Sequence, residues 1–391
     1  MQEYDFIMAG GGMAGLSLAH ELVTGPYPNA SILLVDPETK GENDRTWSFW
    51  TGDQDPLPTL GGGASIVSQA WSQLRFASHE WEHTFDMGDY RYCMVRGADF
   101  YDQVLATLED ARGVTFQRSV VQEIRNHEEY ADVVTDAGTF RGRWVFDSRF
   151  DPAEYEQRTG PHHYLKQHFV GWTIETPGAA FDPEVLTLFD FRTPQHAQMR
   201  FIYILPFSPT RALVEYTLFS AELLEREEYT RAIEAYLRDV YGLTDYRVVE
   251  RENGVIPMTD EPAPRVEGAR TLAVGTRGGR VKASTGYAFR RTQLDTAAIV
   301  ESLVQHGHPF DLPEAPGRFR ALDTMLLQVM YRRGELSEKV FTYLFRRNPL
   351  SRMLRFLDEE VSVPEMLAVM ATVPLGPFLR AFWRTQILGK V

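Results

Sequence analysis

The start of the chain alternates between apolar runs and a helical spacing of apolar positions. The run "YDFIM" (4–8) predicts a buried strand, and "AGGGMAGLSLAHEL" (9–22) predicts a glycine-rich turn that opens a helix. A second apolar run, "SILLVD" (31–36), predicts another strand that ends in a carboxylate. The order strand, helix, strand indicates an α/β fold with parallel strands.

Residues 190–220 predict a pair of antiparallel strands. In "RALVEYTLFS" (211–220) the strand period of two places Glu215 on one face with Leu213 and Phe219. Neither face of this strand is as polar as a face exposed to water. Glu215 is therefore either an acid sheltered from water or a solvated carboxylate on an edge strand, and the periodicity alone favours neither.

The C-terminal part of the chain predicts helices with apolar stripes. Apolar residues recur at 350, 353, 354 and 357, and again at 378, 379, 382 and 383. Residues 331–391 contain ten Lys and Arg against six Asp and Glu, in a chain whose net charge is −14. These helices either pack on the core or present a basic, apolar surface that lies in a membrane interface. A further charged helix, over 222–240, is predicted to face solvent.

Composition narrows the classes of protein. At 391 residues, with 43% hydrophobic and 24% charged residues, the chain can form one large composite domain or two closely associated ones. The acidic net charge argues against nucleic acid as a partner. A single cysteine, Cys93, excludes an intramolecular disulfide framework, and the histidines at 162–163 and 168 lack acids at metal-ligand spacing, so no metal is predicted.

The first residues and the lengths of the apolar stretches indicate where the protein is located in the cell. Glu3 and Asp5 stand where a secretion signal has basic residues. No apolar stretch reaches the roughly 20 residues that a membrane-spanning helix needs. We therefore expect a cytoplasmic protein.

The first glycine-rich turn has the spacing of a dinucleotide-binding motif. Gly10, Gly12 and Gly15 fit G-x-G-x-x-G, and Asp36 follows at the end of the second predicted strand, where an acid binds a ribose hydroxyl. Free N–H groups at the start of the helix favour the pyrophosphate. The motif fits FAD and NAD alike, and the alternative is a plain glycine turn.

A second glycine-rich segment, "TLAVGTRGGRVKASTGYAFRR" (271–291), follows a later predicted strand. Gly275 ends the strand, and a helix is predicted to start near Thr285 and Gly286. Such a turn can close over the far, flavin end of a long cofactor. The alternative is an ordinary loop between a strand and a helix.

Aromatic and charged residues after the second strand suggest a pocket. In "NDRTWSFW" (43–50), Trp47, Phe49 and Trp50 are either core residues or the walls of a site beside the cofactor. Arg45 either pairs with an anionic flavin or phosphate, or with a surface carboxylate.

Two further residues are candidates for the cofactor site. Asp147 closes the predicted strand "RWVFD" (143–147), and Arg96 precedes a predicted helix over 97–111. Asp147 is otherwise a turn former, and Arg96 is otherwise half of a surface ion pair.

Eight stretches resemble the lycopene β-cyclases of the bacterial, FAD-containing type, a family related to the flavoprotein hydroxylases. "NDRTWSFW" and "ALVEYTLFS" are the specific ones, because many flavoproteins share the glycine motif. Two positions depart from the pattern: Ala283 stands where the family usually has proline, and Thr276 stands where related hydroxylases have an acid. The eight stretches are "GGGMAGLSLAHEL", "NDRTWSFW", "VRGADFYDQVL", "QHFVGWTIET", "MRFIYILPF", "ALVEYTLFS", "GVIPMTD" and "VKASTGYAFRR".

The resemblance implies an α/β, Rossmann-type FAD-binding flavoprotein fold, hydroxylase-like, with an interleaved antiparallel-sheet substrate domain and a helical C-terminal region. We expect the FAD-binding domain to draw on 1–70, 95–150 and 245–310. The substrate-binding β-sheet domain is expected over 71–94 and 151–244, and a helical, membrane-associating region over 311–391.

The resemblance also implies a reaction. Lycopene or a related acyclic carotenoid is cyclised at its ψ-end groups without net redox change, with reduced FAD stabilising the carbocation and NAD(P)H as reductant. The products expected are γ- and β-carotene, and the protein is expected at the inner face of the cell membrane as a peripheral protein. The rival hypotheses are an FAD- and NAD(P)H-dependent hydroxylase acting on an apolar substrate, and a non-catalytic carrier of isoprenoids.

Site residues follow from the motifs and the resemblance together. Glu215 is the expected catalytic acid, because burial raises the pKa of a carboxyl group and keeps its proton available for an alkene, a very weak base. The expected substrate pocket contains Trp47, Phe49, Trp50 and Tyr216. The expected cofactor contacts are Gly10, Gly12, Ala14, Gly15, Asp36, Arg45, Arg96, Asp147, Gly275, Thr285 and Gly286.

Overall fold

A computed structural model describes residues 2–52, 59–60, 64–156, 160–314 and 316–387. Parts of the predicted domains that fall in the gaps lie outside the described residues. The strands are β1 Gln2–Ala9, β2 Ile32–Asp36, β3 Thr46–Gly52, β4 Thr59–Leu60, β5 Ala64–Ser65, β6 Gln69–Trp71, β7 Gln73–Ala77, β8 Glu82–Asp86, β9 Tyr90–Arg96, β10 Val114–Arg118, β11 Val121–Asn126, β12 Ala131–Thr135, β13 Gly138–Asp147, β14 Tyr164–Glu175, β15 Val185–Asp190, β16 Met199–Ser208, β17 Arg211–Ser220, β18 Arg247–Thr259, β19 Val266–Gly268 and β20 Thr271–Ala273.

Helices stand between these strands and fill the C-terminal part of the described chain. They are α1 Met13–Thr24, α2 Gly97–Asp110, α3 Pro152–Glu156, α4 Arg226–Asp239, α5 Phe289–His306, α6 Gly317–Arg333, α7 Leu336–Arg347, α8 Leu350–Leu357, α9 Val363–Met370 and α10 Leu375–Phe382, followed by a π-helical turn, Trp383–Ile387.

The first sheet has eight strands, in the order β10-β2-β1-β13-β12-β11, with β20 beside the second half of β13 and β19 beside β20. β10, β2, β1, β13 and β20 run parallel, so their carboxyl ends meet at one edge. Ligands of α/β proteins bind at this edge. The apolar runs at 4–8 and 31–36 form two central strands of this sheet. Both runs are apolar because both faces of these strands are buried.

Successive apolar residues of β1 point alternately to the two faces of the first sheet. On one face Phe6 and Met8 pack against α1, α2 and α5. On the other face Ile7 and Ala9 pack with Val133 and Val145. Side chains that point alternately to opposite faces thus fix β1 in the middle of the core.

The second sheet has seven strands, in the order β18-β14-β17-β16-β15-β7-β8, antiparallel except for β15 with β7. One face packs on α4 through Tyr229, Ile233 and Leu237. The opposite face looks toward the first sheet and the C-terminal helices. β3, β9 and β6 form a third sheet, and β4 pairs with β5.

Part of the range expected for the FAD-binding domain lies in the second sheet. Residues 245–259 were expected in the FAD-binding domain, but β18 pairs with β14 along its length and closes the edge of the seven-stranded sheet. Sequence periodicity does not reveal this, because the pairing joins segments that lie far apart in the chain. The assignment of ligands to each predicted domain stays a prediction.

The C-terminal helices divide between the core and the surface. In α8 the predicted stripe of Leu350, Met353, Leu354 and Leu357 is buried. In α10 and the π-helical turn, Phe378 is buried, but Leu379, Phe382 and Trp383 are 63%, 45% and 59% exposed. Among the described helices, none combines the length and apolar content needed to cross a membrane.

Candidate active site

A cavity of about 560 Å³ lies at the carboxyl edge of the first sheet, facing the second sheet. Strands β14, β16, β17 and β18 provide one side, and both glycine-rich turns provide the other. The cavity brings together eight of the predicted site residues: Gly12, Ala14, Arg45, Trp47, Glu215, Gly275, Thr285 and Gly286.

The first glycine turn is shaped for close approach. A Cβ on Gly15 would lie 2.1 Å from the carbonyl oxygen of Gly10, so only glycine lets α1 start this close to β1. A Cβ on Gly12 would meet nothing within 4 Å, since this residue faces open space. Gly12 is also the N-cap of α1 and has no side chain to bind the first N–H groups. The turn therefore offers unpaired donors and a positive helix end to an anion.

Asp36 ends β2 beside this turn. Its Oδ2 accepts a hydrogen bond of 2.6 Å from the backbone N–H of Gly11. The carboxylate thus lies against the glycine turn, at the position the motif predicts, although it is not part of the cavity lining.

The second glycine turn contacts the first. Gly275 has φ +60°, and a Cβ there would lie 2.8 Å from the Cβ of Ala14. Gly286 has φ +77°, and a Cβ there would lie 2.0 Å from Oε1 of Gln167. Both positions require glycine, for backbone conformation and for space. Because the two turns meet in one cavity, this groove fits a long dinucleotide.

Glu215 lies in the middle of β17 and lines the cavity with 9% of its surface exposed. Thr217 donates a hydrogen bond of 2.5 Å from Oγ1 to Glu215 Oε1. Burial, and next the nearby carboxyl group of Glu252, raise the pKa of Glu215 well above its ordinary value. Burial therefore favours the neutral, protonated form of this side chain.

Glu252 is a site residue that the sequence analysis missed. It lines the same cavity from β18, and Thr46 Oγ1 donates a hydrogen bond of 2.8 Å to its Oε2. Burial raises the pKa of Glu252 as well. The alternation in "VERENG" (249–254) places Glu250, Glu252 and Gly254 on one face of a strand. The sequence does not identify the strand that pairs with it, so the position of Glu252 beside Glu215 could not be predicted.

Three tyrosines, the buried Tyr92 and the half-buried Tyr203 and Tyr287, form a hydrogen-bonded group beside Glu215. The hydroxyl groups of Tyr92 and Tyr287 are 2.8 Å apart, and the hydroxyl of Tyr203 lies within hydrogen-bond distance of Tyr92, at 2.8 Å, and of Ser48, at 3.1 Å. Burial raises the pKa of all three phenols well above the ordinary value. They stay neutral and present aromatic rings to the cavity.

Apolar side chains complete the wall around Glu215. They come from β15, β16, β17 and α7, and they keep the carboxyl group in a poorly hydrated environment. These residues are Leu188, Phe189, Met199, Phe201, Leu213, Phe219 and Phe341.

Three residues expected in the substrate pocket do not line this cavity. Tyr216 lies on the opposite face of β17 from Glu215, where Arg200 Nη1 donates to its hydroxyl at 3.1 Å, because adjacent strand residues point to opposite sides. Phe49 stacks on Phe289 at 5.3 Å within the core of the first sheet. Trp50 packs edge-on against Tyr287 at 4.7 Å, behind the cavity wall.

Three charged candidates differ in their placement. Arg45 lines the cavity, with its side chain 58% exposed. Arg96 does not line it and lies 3.8 Å from Glu250.

Asp147 is buried at the end of β13, where Arg149 binds its carboxylate at 2.7 Å and Arg277 lies 3.4 Å away. Neither Asp147 nor Arg96 reaches the cavity lining, so the cofactor contact predicted for each gains no support from their positions.

Comparison with known proteins gives one family for nearly the whole chain. A sequence model of the lycopene cyclase protein family matches residues 5–382. The chain is 29% identical over 416 residues to a lycopene beta-cyclase of Paracoccus sp. (strain N81106 / MBIC 01143), covering 99% of both chains. It is 25% identical over 316 residues to the chloroplastic neoxanthin synthase of Solanum tuberosum, covering 78% of this chain but only 61% of that protein.

Solved structures share the fold at lower identity. The flavin-dependent brominase Bmp2 matches with a TM-score of 0.59 and 14% identity, over 92% of this chain and 94% of that one. This likeness confirms the predicted flavoprotein-type α/β fold with interleaved sheets and a helical C-terminal region.

Proposed function

Because the chain belongs to the lycopene cyclase family, we propose that it closes the ψ-end groups of lycopene, or of a related acyclic carotenoid, into β-ionone rings. The products are γ-carotene, β-carotene or both, and the reaction has no net redox change. The observation that carries this proposal is the position of Glu215, whose pKa burial raises, in the apolar wall of the cavity that both glycine turns line.

Glu215 supplies the proton that starts the reaction. Its O–H bond breaks as a C–H bond forms on the terminal double bond, leaving a tertiary carbocation. The neighbouring internal double bond attacks this cation and closes a six-membered ring, and loss of a proton then gives the β-ring. A carboxyl group ionised at neutral pH could not do this, because an alkene is a very weak base.

The cavity wall protects and stabilises the cation. Phe201, Phe219 and Tyr203 present aromatic rings close to Glu215, and such rings attract cations without forming a bond to them. The same apolar surface excludes water, which would trap the cation as an alcohol. These residues therefore favour ring closure over the addition of water to the cation.

FAD is the proposed cofactor. Gly12 and Ala14, at the uncapped start of α1, would hold its pyrophosphate, Asp36 its ribose, and Gly275, Thr285 and Gly286 its flavin half. In the reduced form, for which NAD(P)H is the proposed reductant, FAD would supply negative charge that stabilises the carbocation.

We also propose peripheral association with the inner face of the cell membrane, where the apolar substrate dissolves. The C-terminal apolar surface, which we define as the exposed side chains of Leu379, Phe382, Trp383 and Ile387, lies next to Arg380 and Arg384. Apolar and basic side chains in this combination suit the interface of an anionic membrane.

Production of the protein in cells that accumulate lycopene tests the function. The expected result is a loss of lycopene with the appearance of isomers of equal mass that have the absorption spectra of γ- or β-carotene. In vitro, with FAD kept reduced, product should form without oxygen. A product heavier by one oxygen atom, formed with stoichiometric oxygen uptake, would instead establish the hydroxylase, and the absence of any product would support a carrier.

A further inference from the structure

Two acidic residues meet across one glycine in the second sheet. Gly171 on β14 pairs directly with Glu215 on β17 and, on its other side, with Glu252 on β18. Residues that are directly opposite in neighbouring strands point to the same face of a sheet. Both carboxyl groups therefore point to the cavity, and both line it.

Gly171 makes their approach possible. Residues two strands apart have Cα atoms about 10 Å from each other, so one of the two side chains must cross the strand between them. A Cβ on Gly171 would lie 2.9 Å from Cγ of Glu252, 3.1 Å from its Oε1 and 3.0 Å from Cδ1 of Leu213. The side chain of Glu252 thus lies over Gly171, in space that any other residue would fill.

Hydrogen bonding leaves one oxygen of Glu252 for Glu215. Thr46 donates to Oε2 of Glu252, and Thr217 donates to Oε1 of Glu215. Oε1 of Glu252 is buried, and no described residue donates a hydrogen bond to it. The carboxyl group of Glu215 lies close enough for the two acids to perturb each other's pKa, which makes it the candidate donor. An unpaired buried carboxylate oxygen is costly, so a proton held between the two carboxyl groups is the favourable arrangement.

We propose that Glu252 is a positioning residue that shares the proton of Glu215 and keeps that acid protonated until an alkene lies beside it. The inference rests on the proposed function. When Glu215 gives its proton to the substrate, the electron pair of the O–H bond stays on Glu215. The proton that the ring loses afterwards returns to the pair, so each turnover ends with the starting number of protons and electrons.

The charges around the pair give the expected sign of its pH dependence. Glu252 faces Glu215 on β17, Thr46 on β3, Glu250 on its own strand and Arg96 at the end of β9. Glu215 also faces Tyr203 and Tyr287. Loss of the Glu252 negative charge removes like-charge repulsion and lowers the pKa of Glu215. The Glu215 proton is then lost at lower pH.

The test is the pH profile of cyclisation by the FAD-loaded enzyme, with flavin reduced and air excluded. We expect E252Q to retain activity in acid and to lose it at lower pH than wild type does, by roughly tenfold in rate for each pH unit that the alkaline limb moves. G171A, which displaces the Glu252 side chain, should move the limb in the same direction. E175Q is the matched control, because Glu175 ends β14, the strand between the two acids, but pairs with Arg247 and does not line the cavity.

Infrared difference spectroscopy gives a second measurement that needs no turnover. The carbonyl band of the protonated carboxyl group should be absent in E215Q and should titrate at lower pH in E252Q than in wild type. An alkaline limb and a carbonyl band that both stay at wild-type pH in folded E252Q would overturn the proton-sharing role, with the proposed function intact. A wild-type protein that yields no cyclised carotenoid would overturn the proposed function, while the infrared titration would still report on the pair.

Discussion

Tyr203 lies directly opposite Glu215 in the register of β16 and β17, yet its hydroxyl group hydrogen-bonds with the hydroxyls of Tyr92 and Ser48 and not with the carboxyl group. A phenol that donated to Glu215 would stabilise the carboxylate and lower the pKa of the acid. Held away by its own partners, Tyr203 contributes an aromatic ring to the cavity without helping Glu215 to ionise. This arrangement favours the protonated form of Glu215.

Glu215→Gln should abolish cyclisation and leave FAD binding unchanged. Glutamine keeps the shape of the side chain but has no proton to give, and Glu215 lies apart from the glycine turns that would hold the cofactor. We expect a loss in rate of at least about 10²–10⁴-fold, the usual contribution of general acid catalysis. Pigment analysis measures the product, and the flavin absorption of the purified protein measures the cofactor. Substantial β-carotene from a flavin-loaded variant would show that another group donates the proton.

The same substitution should raise stability in alkali. The folded protein holds the Glu215 proton above the pH at which the unfolded chain releases it, because burial raises the pKa. The folded state then binds more protons than the unfolded state, so stability falls as pH rises between the two pKa values. Glutamine does not titrate, so E215Q does not lose stability in this way as the pH rises. Its gain in Tm over wild type should therefore be larger at alkaline than at mildly acidic pH. An equal Tm difference at both would mean that Glu215 has an ordinary pKa in the folded protein.

Gly15→Ala and Gly12→Ala should have different consequences. At Gly15 the new methyl group would lie 2.1 Å from a backbone oxygen of Gly10, and we expect a destabilisation of about 1–3 kcal/mol or more from overpacking. At Gly12 the methyl group meets no protein atom, so the fold should tolerate it while FAD affinity falls. Thermal unfolding of the apoprotein and flavin titration separate the two effects. If G12A bound FAD like wild type, the pyrophosphate would not lie at this turn.

Local motifs revealed the parts of the site that are formed by short segments. Gly10, Gly12 and Gly15 could be placed from the sequence because strand, turn and helix follow one another within about twenty residues. Strand period two put Glu215 on a face with Leu213 and Phe219, and the structure places all three in the cavity wall. Here the deciding interactions are local, and the sequence contains them.

The parts that were missed depend on pairing between distant segments. Glu252 joins Glu215 only because β14 lies between β17 and β18, and nothing in the sequence of either glutamate's strand specifies that neighbour. The same non-local pairing places β18, which falls in the range expected for the FAD-binding domain, in the second sheet. Tyr216 is expected in the pocket, but the strand period already places it on the face of β17 opposite to Glu215.

Cys93 should be unreactive in the folded protein. Its thiol is buried in β9, and burial raises its pKa to about 12, so almost no thiolate forms near neutral pH. A thiol reagent should label one group per chain in denaturant and label native protein far more slowly. Rapid labelling of the native protein would indicate that β9 opens readily. Slow labelling of a variant shows that the variant is folded.

The C-terminal apolar surface should anchor the protein to anionic lipid. Leu379→Ser together with Trp383→Ser removes two side chains that are 63% and 59% exposed and do not support the core, so the Tm should be unchanged. A large apolar side chain contributes about 1.5–3 kcal/mol when it is fully transferred from water, so loss of two that are partly inserted should weaken vesicle binding by roughly tenfold or more.

Leu294→Ser on α5 is the matched control for this experiment, since Leu294 is 52% exposed but lies outside the C-terminal apolar surface. Sedimentation with vesicles that contain anionic lipid measures binding, and added salt should weaken it because Arg380 and Arg384 contribute through charge. If the double variant and the Leu294 control bound vesicles as wild type does, the apolar side chains at the end of the chain would have another partner. The expected result is that only the double variant loses binding. If it also converts lycopene in vesicles more slowly but keeps its rate in detergent, the C-terminal apolar surface serves delivery of the substrate and not the chemical step.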